Sequence, residues 1–234
     1  MLAAVNVQKT YGSLHVLRGI SVEIEKGATV GLSGESGCGK STLARLLCCL
    51  EGCDRGAVEL DGVVYNGPRS GFPKAAPFKK FRRAVQIVFQ DSGGSLDPRM
   101  TVGRILAEPL GNFSLDYCRS SREERDRRGG ELLERVGLDR GKALAYPHEL
   151  SGGQRQRVVI ARALAADPEY LICDEPVSSL DAESRDGIVK LLVSLQQETG
   201  MGCLFISHDP ALTERVSSRM YVMEDGVIKE ARFP

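Results

Sequence analysis

Along the first sixty residues, apolar side chains come in short runs broken by turn residues. Runs at 4–8, 20–24, 28–33 and 58–60 read as strands, separated by Tyr11-Gly12, Lys26-Gly27 and Asp61-Gly62. The run 28–33 leads straight into a glycine-rich stretch, after which 41–50 repeats apolar residues at helical spacing. Residues 67–77 are rich in Gly and Pro and read as a loop, and 85–89 is a further apolar strand. From 101 to 145 the pattern is helical and more polar. Beyond Ser151 it alternates: helix 153–166, strand 170–173, helix 182–198, strand 203–206. Helix–strand alternation predicts an α/β chain built on a largely parallel sheet. The expected division is a core from 1–90 and 151–234, with a helical subdomain, 91–150, inserted between its parts.

Composition narrows the function classes. The 234 residues are 42% hydrophobic and 26% charged, the balance of a globular protein with a true core. Lysine plus arginine equals aspartate plus glutamate, 31 each, so bulk charge argues against nucleic acid as a partner. The one dense charge run, 119–128, has Glu123, Glu124 and Asp126 among its arginines and reads as a solvated helix face. Apolar stretches such as 158–161 and 171–173 are far shorter than the roughly 20 residues of a membrane span. No charged start with an apolar segment opens the sequence, so neither a membrane-spanning nor a secreted chain is expected. Cysteines stand at 38, 48, 49, 53, 118, 173 and 203, an odd count. Cys48 and Cys49 share a helical pattern with Leu46, Leu47 and Leu50, with no histidine or second CxxC near them. They are expected to be buried reduced thiols of a reducing cytoplasm, not metal ligands.

Four motifs carry chemistry. Gly34-Glu35-Ser36-Gly37-Cys38-Gly39-Lys40-Ser41 fits G-x-x-x-x-G-K-[ST] between a strand and an apolar helix. Glycines let successive N–H groups point inward at phosphate oxygens, and the helix start adds its positive dipole end. Lys40 can reach the outer phosphates, and Ser41 can ligate Mg²⁺. The strand 170–173 ends in Asp174 and Glu175, at the carboxyl edge where α/β sheets bind ligands. One carboxylate suits a metal's coordination sphere and the other can polarise an attacking water. Leu150-Ser151-Gly152-Gly153-Gln154 opens a further helix whose two glycines make it a second anion-binding start. Gln90 and His208 lie just past strand ends, with donor and acceptor chemistry for a metal, a water or a γ-phosphate.

In this order the segments resemble the nucleotide-binding subunits of ABC transporters. The likeness is carried by Tyr11, residues 34–42, Gln90, the signature 150–154, residues 171–175, Ser179-Leu180-Asp181 and Ser207-His208-Asp209. It implies a P-loop ATPase core with an N-terminal antiparallel β subdomain and the inserted helical subdomain. ATP and Mg²⁺ would be the bound groups. By this likeness Tyr11 would stack on adenine, residues 34–42 (Thr42 included) would hold the phosphates, Ser41 and Gln90 would ligate Mg²⁺, and Asp174 would support it. Glu175 would polarise water and His208 would contact the γ-phosphate. Ser151, Gly152, Gly153 and Gln154 would bind the nucleotide of an opposite subunit paired head to tail, with Asp181 communicating across the interface.

Residues 89–102, Ala107-Glu108-Pro109-Leu110, 146–157 and 173–178 are similar to the peptide and nickel importer branch. Many members extend beyond the last strand, whereas this sequence runs to Pro234, soon after 221–226, so nickel or a metal chelate stands beside peptide as the expected solute. The implied partners are membrane permease subunits, a second ATPase subunit (a paralogue or the chain itself) and an extracytoplasmic solute-binding protein. The implied location is the cytoplasmic face of the cell membrane. A soluble ABC-type ATPase working without a permease is the alternative.

Overall fold

Hairpin pairing builds the N-terminal sheet. The computed structural model describes residues 1–68, 75–91, 93–113 and 120–231, with the backbone alone for 75–77. Strand β1 (Leu2–Tyr11) turns back into β2 (Leu14–Ile24), bringing Tyr11 opposite Leu14. Strands β4 (Arg55–Leu60) and β5 (Val63–Asn66) complete an antiparallel sheet of order β2-β1-β4-β5. The second sheet comprises β3 (Thr29–Gly34), β6 (Val85–Val88), β7 (Tyr170–Asp174), β8 (Gly202–Ser207), β9 (Arg219–Glu224) and β10 (Val227–Ala231). Its strand order is β10-β9-β3-β8-β7-β6. β3 pairs in parallel with both β8 and β9, β7 with β8, and β10 closes one edge antiparallel to β9. Every residue of β7 and β8 is buried, which explains why both read as unbroken apolar runs and not as alternating ones.

Helix α1 (Lys40–Leu47) packs Leu43, Ala44, Leu46 and Leu47 into a core shared with Leu32, Ile172, Leu204 and Ile206. Burying one such leucine or isoleucine contributes about 1.5–3 kcal/mol before entropy is counted. The loop expected over 67–77 is corrected at its end: helix α2 spans Ala75–Ala84, while 69–74 lie outside the described residues. Pro77 falls in the first turn, where an N–H has no intrahelical partner to lose. Phe81, fully buried, meets the rings of Tyr65 at 4.7 Å and Phe78 at 6.3 Å. That contact, not local propensity, accounts for the helix. Cys48, Cys49 and Cys53 are free and buried, and burial pushes the Cys49 thiol up to about 12. Cys118 lies outside the described residues.

The chain divides into two units, one of Met1–Ile87, Glu169–Glu175 and Leu195–Pro234, the other of Val88–Pro168 and Pro176–Ser194. The second groups α3 (Val102–Phe113), α4 (Arg122–Arg135), α5 (Gly152–Leu164) and most of α6 (Ala182–Thr199). Residues 151–168 and 176–194 thus cluster with the helical segment 91–150 rather than with the strands. Val102, Ile105, Leu106, Pro109 and Leu110 make the buried stripe of α3. The charge run becomes α4, where Arg127 pairs with Glu124 and Glu131, and Arg128 with Glu124, the pattern of a solvated face; Arg119 is outside the described residues. Among the described residues, no helix is long and apolar enough to cross a membrane.

Candidate functional site

In the first unit the parallel register aligns three strand ends. Ser33 of β3 pairs with Ser207 of β8, and Asp174 of β7 pairs with Ile206 of the same strand. The segments that follow β3, β7 and β8 therefore emerge side by side at one sheet edge. They carry the glycine loop, Asp174-Glu175 and His208.

The loop's backbone demands glycine. Gly34 has φ 154°, and a Cβ there would come within 2.3 Å of the Met223 carbonyl oxygen. Gly39, the residue before α1, has φ 113°, where a side chain would strain the backbone and press on Leu17 and Val16. Lys40 is only 5% exposed, and its Nζ donates to the carbonyls of Gly34 at 2.8 Å and Glu35 at 2.7 Å, with the Cys38 Sγ at 3.9 Å. The ammonium is thus bent back over its own loop, at the mouth of α1, where the first N–H groups have no helical acceptors. Buried cation and helix start together favour a polyanion of phosphate type.

One residue on, the Ser41 hydroxyl donates to Asp174 Oδ1 at 3.1 Å. Burial raises the Asp174 carboxyl above its ordinary range, opposed by the Ser41 hydrogen bond and by the Arg45 and Lys40 charges. A hydroxyl beside a buried carboxylate is an all-oxygen pair of the kind that holds Mg²⁺ together with substrate phosphates. No cluster of three or more His, Cys, Asp or Glu able to hold a metal occurs among the described residues.

Glu175 follows with φ 48°, a left-handed conformation rare for a non-glycine residue. Its N–H donates to the Ile206 carbonyl at 3.0 Å, which anchors the turn to β8. Glu175 Oε2 meets His208 Nδ1 at 2.9 Å. The carboxylate is therefore aimed by a strained backbone from one strand end and by an imidazole from the next. Helix α7 (Pro210–Val216), capped by the Asp209 side chain on the Leu212 N–H, holds the His208 turn in place. Such a carboxylate can accept a proton from a water.

Tyr11 stands at the tip of the β1–β2 hairpin, 43% exposed, its hydroxyl donating to Glu51. Glu51 had no sequence signal, because the pair is separated by 40 residues and brought together only by the sheet packing on α1.

In the second unit, Ser151 Oγ accepts from the Gln154 N–H at 3.2 Å while Gln154 Oε1 accepts from the Ser151 N–H at 3.1 Å. This reciprocal capping fixes the start of α5. A Cβ on Gly153 would sit 2.9 Å from Ser184 Oγ. Ser151, Gly153, Gln154, Arg157, Ser184 and Lys190 line part of a cavity of about 480 Å³ at this helix start. Asp181 Oδ1 caps α6 by accepting from the Ser184 N–H at 2.9 Å. Gln90 also belongs to the second unit and is exposed just past β6.

A family model described as ABC transporter matches residues 17–178. The chain is 44% identical over 219 residues to the oligopeptide transport ATP-binding protein OppF of Bacillus subtilis, covering 94% of this chain and 70% of that one. It is 46% identical over 217 residues to the glutathione import ATP-binding protein GsiA of Pectobacterium atrosepticum, covering 93% and 33%. A Brucella abortus protein whose name refers to peptide import is 49% identical over 214 residues, or 90% of this chain and 61% of that protein's length. This chain thus spans about three fifths of that relative. Among solved structures, a dimeric bacterial ABC transporter cassette, MJ0796, superposes with TM-score 0.82 at 32% identity over the whole of both chains. The same cassette in a post-hydrolysis state bound to ADP and Pi gives 0.80 at 31% identity, again over both whole chains.

Proposed function

Since the chain belongs to the ABC transporter family, we propose that it binds and hydrolyses ATP to drive solute import through a partner permease. The observation that carries this reading is the single sheet edge on which Lys40, the Ser41–Asp174 pair and the Glu175–His208 pair meet. The loop N–H groups and Lys40 bind the β- and γ-phosphates, exchanging the Gly34 and Glu35 carbonyls for phosphate oxygens. Ser41 and Asp174, with Gln90 as a further ligand, would hold Mg²⁺, which would supply charge neutralisation at the outer phosphates. Glu175 orients the attacking water and takes its proton, while His208 keeps that carboxylate aimed and contacts the γ-phosphate. Tyr11 stacks on the adenine. Ser151, Gly152, Gly153 and Gln154 reach the nucleotide of a second ATPase subunit, and Asp181 relays between the two.

The partners are a membrane permease, a paralogous or identical ATPase chain and an extracytoplasmic solute-binding protein, at the cytoplasmic face of the cell membrane. The names of the similar proteins support a peptide, glutathione included, as the solute class. Nickel or a metal chelate remains the competing cargo. Co-purification with a permease, followed by transport assays with labelled di- and oligopeptides and with nickel, decides both points. For the chemistry, Glu175→Gln keeps shape but not basicity, so ATP should still bind while turnover falls by about a hundredfold or more. Turnover near wild type in that variant would remove Glu175 from its role.

A further inference from the structure

The hydroxyl of Tyr11 ends in a charged cluster that the phosphate chemistry does not use. Glu51 Oε1 accepts that hydroxyl. Lys9 Nζ lies 3.4 Å from the same carboxylate oxygen, donates to the Gly52 carbonyl at 2.7 Å, and sits over the Tyr11 ring 5.3 Å from its centroid. On the other carboxylate oxygen, Arg45 Nε approaches to 3.5 Å, and Arg45 Nη2 reaches Thr42 Oγ1, also at 3.5 Å. The Glu51 backbone is itself pinned, since buried Asn66 donates from Nδ2 to the Glu51 carbonyl at 2.6 Å and to the Leu46 carbonyl at 3.2 Å. Burial alone would raise the Glu51 carboxyl, but the Tyr11 hydroxyl, Lys9 and Arg45 outweigh it and hold it below the usual carboxylate range.

We propose that Glu51 is the positioning residue for the base-stacking ring: its carboxylate fixes the Tyr11 hydroxyl and, through Arg45, ties that ring to the helix bearing Lys40 and Ser41. This rests on the assignment of Tyr11 to adenine. Tyr11 is half exposed at a hairpin tip, so core packing leaves its ring poorly restrained. A ring free to rotate would have to be ordered at each binding event, whereas one anchored at its hydroxyl and flanked by Lys9 is ordered in advance. Because Arg45 bridges Glu51 to Thr42, the base platform and the phosphate loop share one rigid element, which sets the distance between the two ends of the nucleotide.

The test measures binding of N-methylanthraniloyl-ATP to the full chain, with unlabelled ATP and inorganic tripolyphosphate as competitors. Glu51→Ala should weaken ATP by about five- to tenfold while shifting tripolyphosphate by less than about twofold. Glu51→Gln keeps an oxygen acceptor and should recover most of the loss. Tyr11→Phe, which retains the ring but not its tether, should lose as much as Glu51→Ala, and the double variant no more than either alone. Thermal unfolding of each variant separates misfolding from weakened binding. An equal loss of tripolyphosphate binding would make Glu51 a support of the phosphate loop and overturn the proposal. So would an unchanged ATP affinity in Glu51→Ala when Tyr11→Ala binds weakly. An unchanged affinity in Tyr11→Ala would instead defeat the adenine assignment itself, and this positioning role with it.

Discussion

At residue scale, the carboxyl at the sheet edge and the one beside Tyr11 are tuned in opposite directions. Asp174 is buried beside Ser41 and its carboxyl is raised, whereas Glu51, among Lys9, Arg45 and the Tyr11 hydroxyl, is lowered. A carboxyl raised on folding favours the folded state most when protonated. Its contribution is present below the unfolded-state pKa and is lost as pH climbs through the folded value. At pH 7 Asp174 therefore costs the nucleotide-free protein stability. Asp174→Asn, whose amide oxygen can still accept from Ser41, should raise the melting temperature at pH 7 by about 2 °C or more without Mg²⁺. The gain should shrink as pH falls through the raised range in which the wild-type carboxyl takes up its proton, and the variant should gain less from added MgATP than wild type. Calorimetry across that pH range checks both, and a variant less stable than wild type at pH 7 would contradict the burial argument. The residues gathered at the sheet edge could be singled out beforehand because the glycine loop, Asp174-Glu175 and His208 each come at the end of an apolar strand. Glu51 and Lys9 were not, since ordinary surface charges acquire meaning only through a partner distant in sequence.

At the scale of elements, periodicity reports burial, and the elements it missed are those whose burial comes from elsewhere. The strands β7 and β8 and the helix α1 announced themselves through continuous or helically spaced apolar residues. Helix α2 was hidden behind a Gly- and Pro-rich approach, its stability resting on Phe81 against Tyr65. Edge strand β10 buries little and carries Lys229 and Glu230, so its pattern resembles a loop. The start of α5 was legible as a capped helix with surplus glycines, and its reciprocal Ser151–Gln154 bonds account for the cap without any ligand. What the cap does not explain is Gly153, which lines the cavity at the helix start. If that glycine meets the γ-phosphate held by a partner, Gly153→Asp places a carboxylate against it. Turnover at the shared site of a mixed dimer of defined composition should then fall at least about tenfold. Gly153→Asn brings the same bulk against Ser184 without the charge and serves as the control. Equal losses from both variants would assign the effect to crowding instead.

For the whole molecule, nucleotide chemistry and the proposed coupling to a permease need not share residues, and the second unit offers a place to separate them. Around a cavity of about 590 Å³ in that unit, Arg162 donates from Nη1 to the Ser95 carbonyl at 2.9 Å and pairs through Nη2 with Glu108 at 3.3 Å. At its rim Arg99 is 87% exposed, and its guanidinium makes two bonds of 3.1 Å to Asp97. Arg104 projects from the exposed side of α3. An ion pair this exposed contributes little stability of its own, so Arg99 can be exchanged with small cost to the fold. The grouping of 151–168 and 176–194 with the helical segment, which sequence pattern did not reveal, puts the signature helix and this rim in one compact unit. If the proposed permease seats a segment on the rim, it contacts the unit that carries the start of α5. Replacing Arg99 and Arg104 by alanine should leave basal ATP hydrolysis by the isolated chain within about twofold, because neither touches the phosphate chemistry. In the reconstituted complex, solute-stimulated hydrolysis should drop by about tenfold. If stimulation survives in full, coupling runs through another surface. If basal and stimulated rates fall alike with a lowered melting temperature, the arginines serve the fold of the unit and not its communication with the membrane.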